Sequence, residues 1–365
     1  MTSVKLPFYA RLALTLFALV LAFIILKEAS GIFIPLTFAL LVSILLYPFT
    51  KFLENKCHFG RVYSAITAVV LFVAALFSFI YFLSIQVFGF SKDIPLLKTR
   101  FQEMFSALQK WLSYKLHITT TQQTTYINRS VNSIIESMAH SISNLLTSMA
   151  GILLLFIFIL IFTFFMLYHR RLLMKFVLHL FSPVHREKVN EVISETRSMI
   201  NSYVVGLVIE MVVISIVNCS MLAIMGIQYA VLLGLMAAVL NIIPYLGIYT
   251  SIVICMLVTF ANSNGNMALE AGIGMFVVHL LDSNILFPRI VGGRVKMNPF
   301  ITIVAVIIGE FLWGVPGMFL FIPITGIIKL ICERVEGLEA WSILIGVDDT
   351  NPRESKQKKQ KKITP

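Results

Sequence analysis

Four ionisable residues stand inside long apolar runs of this chain: Glu210, His279, Asp282 and Glu310. A charged side chain at the centre of a bilayer costs roughly 2.5–3.5 kcal/mol on insertion scales, so each such group is a functional candidate by default. Asn218, Asn241 and Asn284 add uncharged hydrogen-bonding groups to the same runs. The chemistry on offer is ion or solute binding. Two carboxylates close together cannot both ionise cheaply, so Glu210 and Asp282, if they share a site, should take up a proton or a sodium ion. The competing reading is a packing hydrogen bond between helices. For His279, three residues before Asp282 and on the same helix face, the packing reading is the preferred one.

The backbone offers a second kind of chemistry. Two apolar runs are broken, one by N-I-I-P-Y-L-G at 241–247 and the other by W-G-V-P-G at 313–317 and I-P-I-T-G at 322–326. Gly247, Gly314 and Gly317 let the chain turn sharply, and Pro244 and Pro316 leave carbonyls without helical partners. Freed carbonyls can coordinate a cation or a substrate hydroxyl, with helix ends adding their dipoles. The alternative is that the prolines merely kink ordinary spans. No G-x-x-x-x-G-K-S/T loop occurs, which argues against ATP-driven transport by this chain alone. No nucleophile triad or zinc spacing is present, and the four cysteines form neither a metal site nor a disulfide framework. No enzyme activity and no cofactor are expected.

The elements that must hold these groups follow from composition. Of 365 residues, 58% are hydrophobic and 13% charged, with mean hydropathy +0.89. A soluble protein carries about 25% charged residues, and a soluble surface cannot be covered by so few. The expected fold is an all-α polytopic membrane protein of about eight membrane segments, two of them broken, with an extracytoplasmic helical insert. The apolar runs lie at 9–26, 32–49, 62–88, 149–168, 204–225, 230–260, 272–287 and 300–330. They group into three N-terminal membrane helices (1–90), a polar insert (91–148), a fourth helix with a basic stretch (149–203), a transport region (204–334) and a basic tail (335–365). Two apolar stripes in the insert, at 101–112 and 131–145, read as amphipathic helices packed on the membrane part, with partner binding as the alternative. The net charge of +11 fits cytoplasmic loops facing anionic lipid rather than nucleic acid.

Lysine and arginine near span ends place both termini and the basic stretch 170–197 in the cytoplasm, and the insert outside. The C-terminal half allows two arrangements. Either every apolar run crosses, or the two broken runs are re-entrant hairpins. The hairpin arrangement obeys the charge rule better and creates two similar units of opposite orientation, the pattern of a transporter with its site between repeats.

Four motifs then become informative together: L-N-I-I-P-Y-L-G (240–247), D-S-N-I-L-F-P-R-I-V-G (282–292), M-N-P-F (297–300) and G-E-F-L-W-G-V-P-G-M-F-L-F-I-P (309–323). Their ordered set resembles the autoinducer-2 exporter family of bacterial permeases. The resemblance implies an inner-membrane transporter of eight segments and a homo-oligomer, a pentamer, moving a small furanose-derived signalling molecule. Some relatives are described as sodium/proton antiporters. Position 210 is commonly Gln in such proteins, so the charge of Glu210 bears on ion coupling. The candidate substrate- or ion-binding residues are Glu210, Asn241, Pro244, Tyr245, Gly247, Asp282, Asn284, Pro288, Glu310, Gly314, Pro316 and Gly317. The expected function is secondary-active export of a small polar solute. The alternatives are a sodium/proton antiporter and a membrane scaffold that binds a partner through the insert.

Overall fold

The computed structural model describes residues 7–91, 99, 106, 151–243, 246–263, 265–292 and 297–346. Apart from Ser91, Thr99 and Ser106, the expected insert lies outside the described residues, as does the tail beyond residue 346. The described chain is helical, with one isolated bridge between Met297 and Gly346. The elements are α1 (Phe8–Glu28), α2 (Ser30–Lys56), α3 (Arg61–Ser91), α4 (described over Gly151–Tyr168), α5 (Arg170–Leu180) and α6 (Arg186–Ile224). Then come α7 (Ala230–Leu240), α8 (Leu246–Asn262), α9 (Gly265–Leu281), α10 (Pro299–Trp313), α11 (Val315–Arg334) and α12 (Glu339–Ile345). Among the described residues, seven helical stretches are long and apolar enough to cross a membrane, and three shorter apolar helices accompany them. The chain is an all-α polytopic membrane protein.

Why these segments are membrane helices is visible in α1. It has 21 residues and none is buried. Leu, Phe, Ile and Val cover all of its faces and stay exposed in the folded protein, which only a lipid environment makes cheap. The basic stretch at 170–197, for which the sequence carries no secondary-structure expectation, is helical. It folds as the amphipathic α5 and the first turns of α6. α6 runs 39 residues without a proline, so charged and apolar parts share one helix. It stops at Gly226, whose φ of 72° lets the Ile227 N–H return to the Leu222 carbonyl at 3.0 Å.

The chain divides into two compact units. One comprises residues 1–65, 162–208 and 287–365, the other residues 66–161 and 209–286. The core of the second gathers Leu222, Leu233, Ala237, Ala271 and Met275 from α6, α7 and α9. Small residues at these contacts let membrane helices approach closely, which replaces the missing hydrophobic drive between helices in lipid.

In the first unit α10 and α11 form a tight hairpin. Gly314 makes the turn with φ 63° and ψ −146°, a conformation that is essentially glycine-only. A Cβ on Gly317 would strike the Gly309 carbonyl, so the two backbones lie in direct contact. Pro316 sits in the first turn of α11, where its missing N–H leaves nothing unpaired. Trp313 buries its ring with Leu41, Ile200 and Leu320, and its Nε1 donates to the Leu26 carbonyl at 2.9 Å near the end of α1. The start of the expected tail is also structured: α12 packs on α11, and the Asn298 N–H donates to the Ile345 carbonyl at 2.9 Å.

The expected interruptions at 241–247 and 313–317 do separate helices, but I-P-I-T-G at 322–326 does not: Pro323 lies inside the continuous α11, where a membrane helix tolerates it. At 1.5 Å per residue, the 11 residues of α7 reach about 16 Å and the 15 of α10 about 22 Å. Each is short of the roughly 30 Å hydrocarbon core.

Candidate functional site

The second unit brings three of the candidate residues together. α7 ends at Leu240, and Asn241 follows as its C-cap, held by its own N–H on the Ala237 carbonyl at 2.9 Å. Two successive tight bonds, Ile242 to Val239 at 3.3 Å and Ile243 to Leu240 at 2.9 Å, turn the chain there. The turn aims the Asn241 amide at two acids. Its Nδ2 donates to Glu210 Oε1 at 3.2 Å and to Asp282 Oδ2 at 3.1 Å. Glu210 and Asp282 are each 4% exposed.

Glu210 projects from the middle of α6, and Asp282 stands where α9 widens. From Asp282 to Leu286, and again from Pro288 to Gly292, the backbone takes the broader turn of a π-helix. Two local causes are present. Pro288 has no N–H for the ladder, and the Asn284 side chain donates to the Leu280 carbonyl at 2.8 Å in competition with the backbone. Such widened turns concentrate at functional sites.

The cluster is incompletely satisfied. Among the described residues, Glu210 Oε2 and Asp282 Oδ1 are buried with no hydrogen-bond partner, as are Asn218 Oδ1 and His279 Nδ1. Buried carboxylate oxygens require a proton, a cation or water. Two carboxylates and one amide suit a proton or a small monovalent cation. Among the described residues no group of three His, Cys, Asp or Glu is placed to hold a metal ion.

Other candidates fall elsewhere. Gly247 lies in the first turn of α8 against the end of α7, and a Cβ there would collide with the Leu240 carbonyl, so it keeps the break compact next to Asn241. Asn284 is exposed and bonds its own helix and Ser283, which removes it from the cluster. Pro244 and Tyr245 lie outside the described residues. Pro288, Glu310, Gly314, Pro316 and Gly317 belong to the first unit. There Glu310 is exposed on α10, while Gly314, Pro316 and Gly317 build the hairpin turn. His279, read from sequence as a packing residue, meets the Tyr249 ring edge-on at 6.4 Å between centroids.

Membrane-crossing helices interrupted around buried, partly unpaired polar groups define a multi-pass protein of the transporter class. The sequence pattern described as AI-2E family transporter matches residues 13–337, and the chain belongs to this family. It is 26% identical over 310 residues to YrrI of Bacillus subtilis (strain 168), covering 82% of this chain and 85% of that protein. It is 23% identical over 320 residues to the AI-2 transport protein TqsA of Escherichia coli (strain K12), covering 87% and 90%. Over 125 residues it is 31% identical to YhhT of the same strain, covering 34% of this chain and 36% of that protein.

Proposed function

We propose that this protein is a secondary-active transporter of the bacterial cytoplasmic membrane. It exports a small polar solute while a proton or sodium ion occupies the Glu210–Asn241–Asp282 cluster. The observation that carries this reading is the pair of buried carboxylates joined by one amide, each with an oxygen left open. A group that costs several kcal/mol to bury at membrane depth is retained where it binds or moves an ion. The name of TqsA supports an autoinducer-2-like solute as the cargo. Both termini lie in the cytoplasm in this reading, the broken runs re-enter from the side they leave, and the working unit is a homo-oligomer, a pentamer.

A second reading, a sodium/proton antiporter, is favoured by the donor set of the cluster. Two carboxylates and an amide supply oxygen ligands suited to a cation. Reconstituted proteoliposomes separate the two. Solute efflux driven by an imposed sodium or pH gradient supports export. Sodium–proton exchange without any added solute supports the antiporter. If neither flux exceeds that of protein-free vesicles, both readings fall.

A further inference from the structure

The first unit contains a cavity that the transport reading does not use. Its volume is about 790 Å³, and it lies among α2, α4, α5, α6 and α11. Ligand cavities run from roughly 300 to 1,000 Å³. Most of its wall is aliphatic, with Leu40, Ile44, Leu167, Val177, Ile193 and Ile327 among the lining residues. Apolar side chains that face such a space without a partner forgo dispersion contacts that an apolar occupant would restore.

The cavity also has a polar end. Leu40, Ile44 and Tyr47 fall on one stripe of α2, so the lining extends along that helix for about 10 Å. At Tyr47 two arginines gather on the phenol ring, Arg197 at 4.3 Å and Arg170 at 5.2 Å from the centroid. Arg170 is ion-paired with Glu54, Arg334 with Glu191 and Glu195, and Lys188 with Glu336 at 3.6 Å. Arg197 has no carboxylate in ion-pair range among the described residues. Its guanidinium is held on the Tyr47 ring at the cavity wall.

α5 indicates which medium supplies the occupant. Leu172, Phe176 and Leu180 are exposed along one line of this helix, and Arg171, Lys175 and His179 form the adjacent line. Leu173, Met174 and Val177 turn into the cavity. A short helix with an exposed apolar line beside a basic one lies in the headgroup layer of a bilayer. The cavity wall is then at the depth where phosphate groups reside, and its aliphatic end extends toward the acyl chains.

We propose that this cavity binds an anionic phospholipid, with an acyl chain against Leu40, Ile44 and Val177 and the headgroup phosphate on Arg197. Phosphate matches the planar donor fork of arginine, and the apolar length of α2 matches a chain entering from the membrane.

Native mass spectrometry of the full-length protein, released from mild detergent with added phosphatidylglycerol or phosphatidylcholine, tests the proposal. Wild type should retain phosphatidylglycerol in preference to phosphatidylcholine. Arg197→Gln should weaken that retention about fivefold, the worth of one cation near an anionic headgroup, and Arg197→Lys should keep most of it. Ile44→Trp, which fills the cavity, should abolish it. Phe176→Ala, on the outward line of α5, should leave it unchanged. Equal retention of the two lipids, or unaltered phosphatidylglycerol retention in Arg197→Gln, overturns the proposal. Saturable binding of free glycerol phosphate at the same affinity overturns it too, because it would assign the cavity to a soluble anion.

Discussion

Glu210 and Asp282, on separate helices, accept hydrogen bonds from one nitrogen, Asn241 Nδ2, at 3.2 and 3.1 Å. Each keeps a second oxygen buried and without a hydrogen-bond partner among the described residues. The amide lies at the first chain break, beside the end of α7. Movement of the end of α7 would withdraw the donor from both acids at once.

The first prediction follows from that sharing. Glu210→Gln and Asp282→Asn should each weaken the sodium or pH dependence of transport, and the double variant should be no worse than the more severe single one. Residues that act on one bound ion are coupled, whereas independent sites add. Additive losses in a double-mutant cycle of flux measurements, or wild-type ion dependence in either single variant, would refute a shared ion.

Asn241 should be as sensitive as the acids. Asn241→Ala removes both bonds, and hydrogen bonds to charged groups are worth about 1.5–3 kcal/mol each. Ion-dependent flux should fall at least about tenfold, 1.4 kcal/mol being one factor of ten, while the protein still inserts and elutes normally from a sizing column. Flux within twofold of wild type would show that the amide is not part of the working site.

The α10–α11 hairpin separates two kinds of glycine requirement. Gly317→Leu places a side chain into the Gly309 carbonyl and should splay the hairpin, abolishing flux while leaving membrane insertion intact. Gly314→Ala meets no atom within 4 Å but must adopt φ 63°, at a cost of about 1–3 kcal/mol. Gly31→Ala, in open space on α2 without a positive φ, should be neutral or slightly stabilising, since alanine favours helix by about 1 kcal/mol. Thermal unfolding in detergent should rank the three in that order, and an unchanged midpoint in Gly317→Leu would contradict the close contact.

Trp313 gives a smaller and cleaner test. Trp313→Phe keeps most of the buried ring but deletes the N–H that serves the Leu26 carbonyl. The expected loss is about 1 kcal/mol, seen as a modest drop in unfolding midpoint. A midpoint equal to wild type would mean that the carbonyl finds another donor.

Membrane topology can be read at the two ends of the span that contains α9. Ser263 precedes the apolar stretch Gly265–Ile290 and Arg289 lies at its far end, so cysteines replacing them report on its two ends. With re-entrant hairpins, residue 263 should label from the periplasm and residue 289 from the cytoplasm. The opposite pattern would support eight full crossings and remove the inverted-repeat reading.

What the sequence alone determined here is what depends on neighbours along the chain. Runs of apolar residues long enough for a bilayer identify the helices, and N-I-I-P-Y-L-G and W-G-V-P-G mark the interruptions because proline and glycine act on their own backbone. Glu210 and Asp282 stood out because a carboxylate in an apolar run is costly wherever it folds. The tertiary structure decided the pairings. Asn241 and Asn284 are the same residue type in similar surroundings, yet one bridges two acids and the other bonds its own helix. Glu310, also a carboxylate in an apolar run, is exposed on α10. The basic stretch, recognised in sequence only by its charge, forms two helices whose Arg170 and Arg197 meet on Tyr47. No spacing rule connects residues 47, 170 and 197. A hydrogen bond or a ring contact reaches only a few ångströms, so its partners are set by which helices pack side by side and at what register, and that is a property of the folded chain.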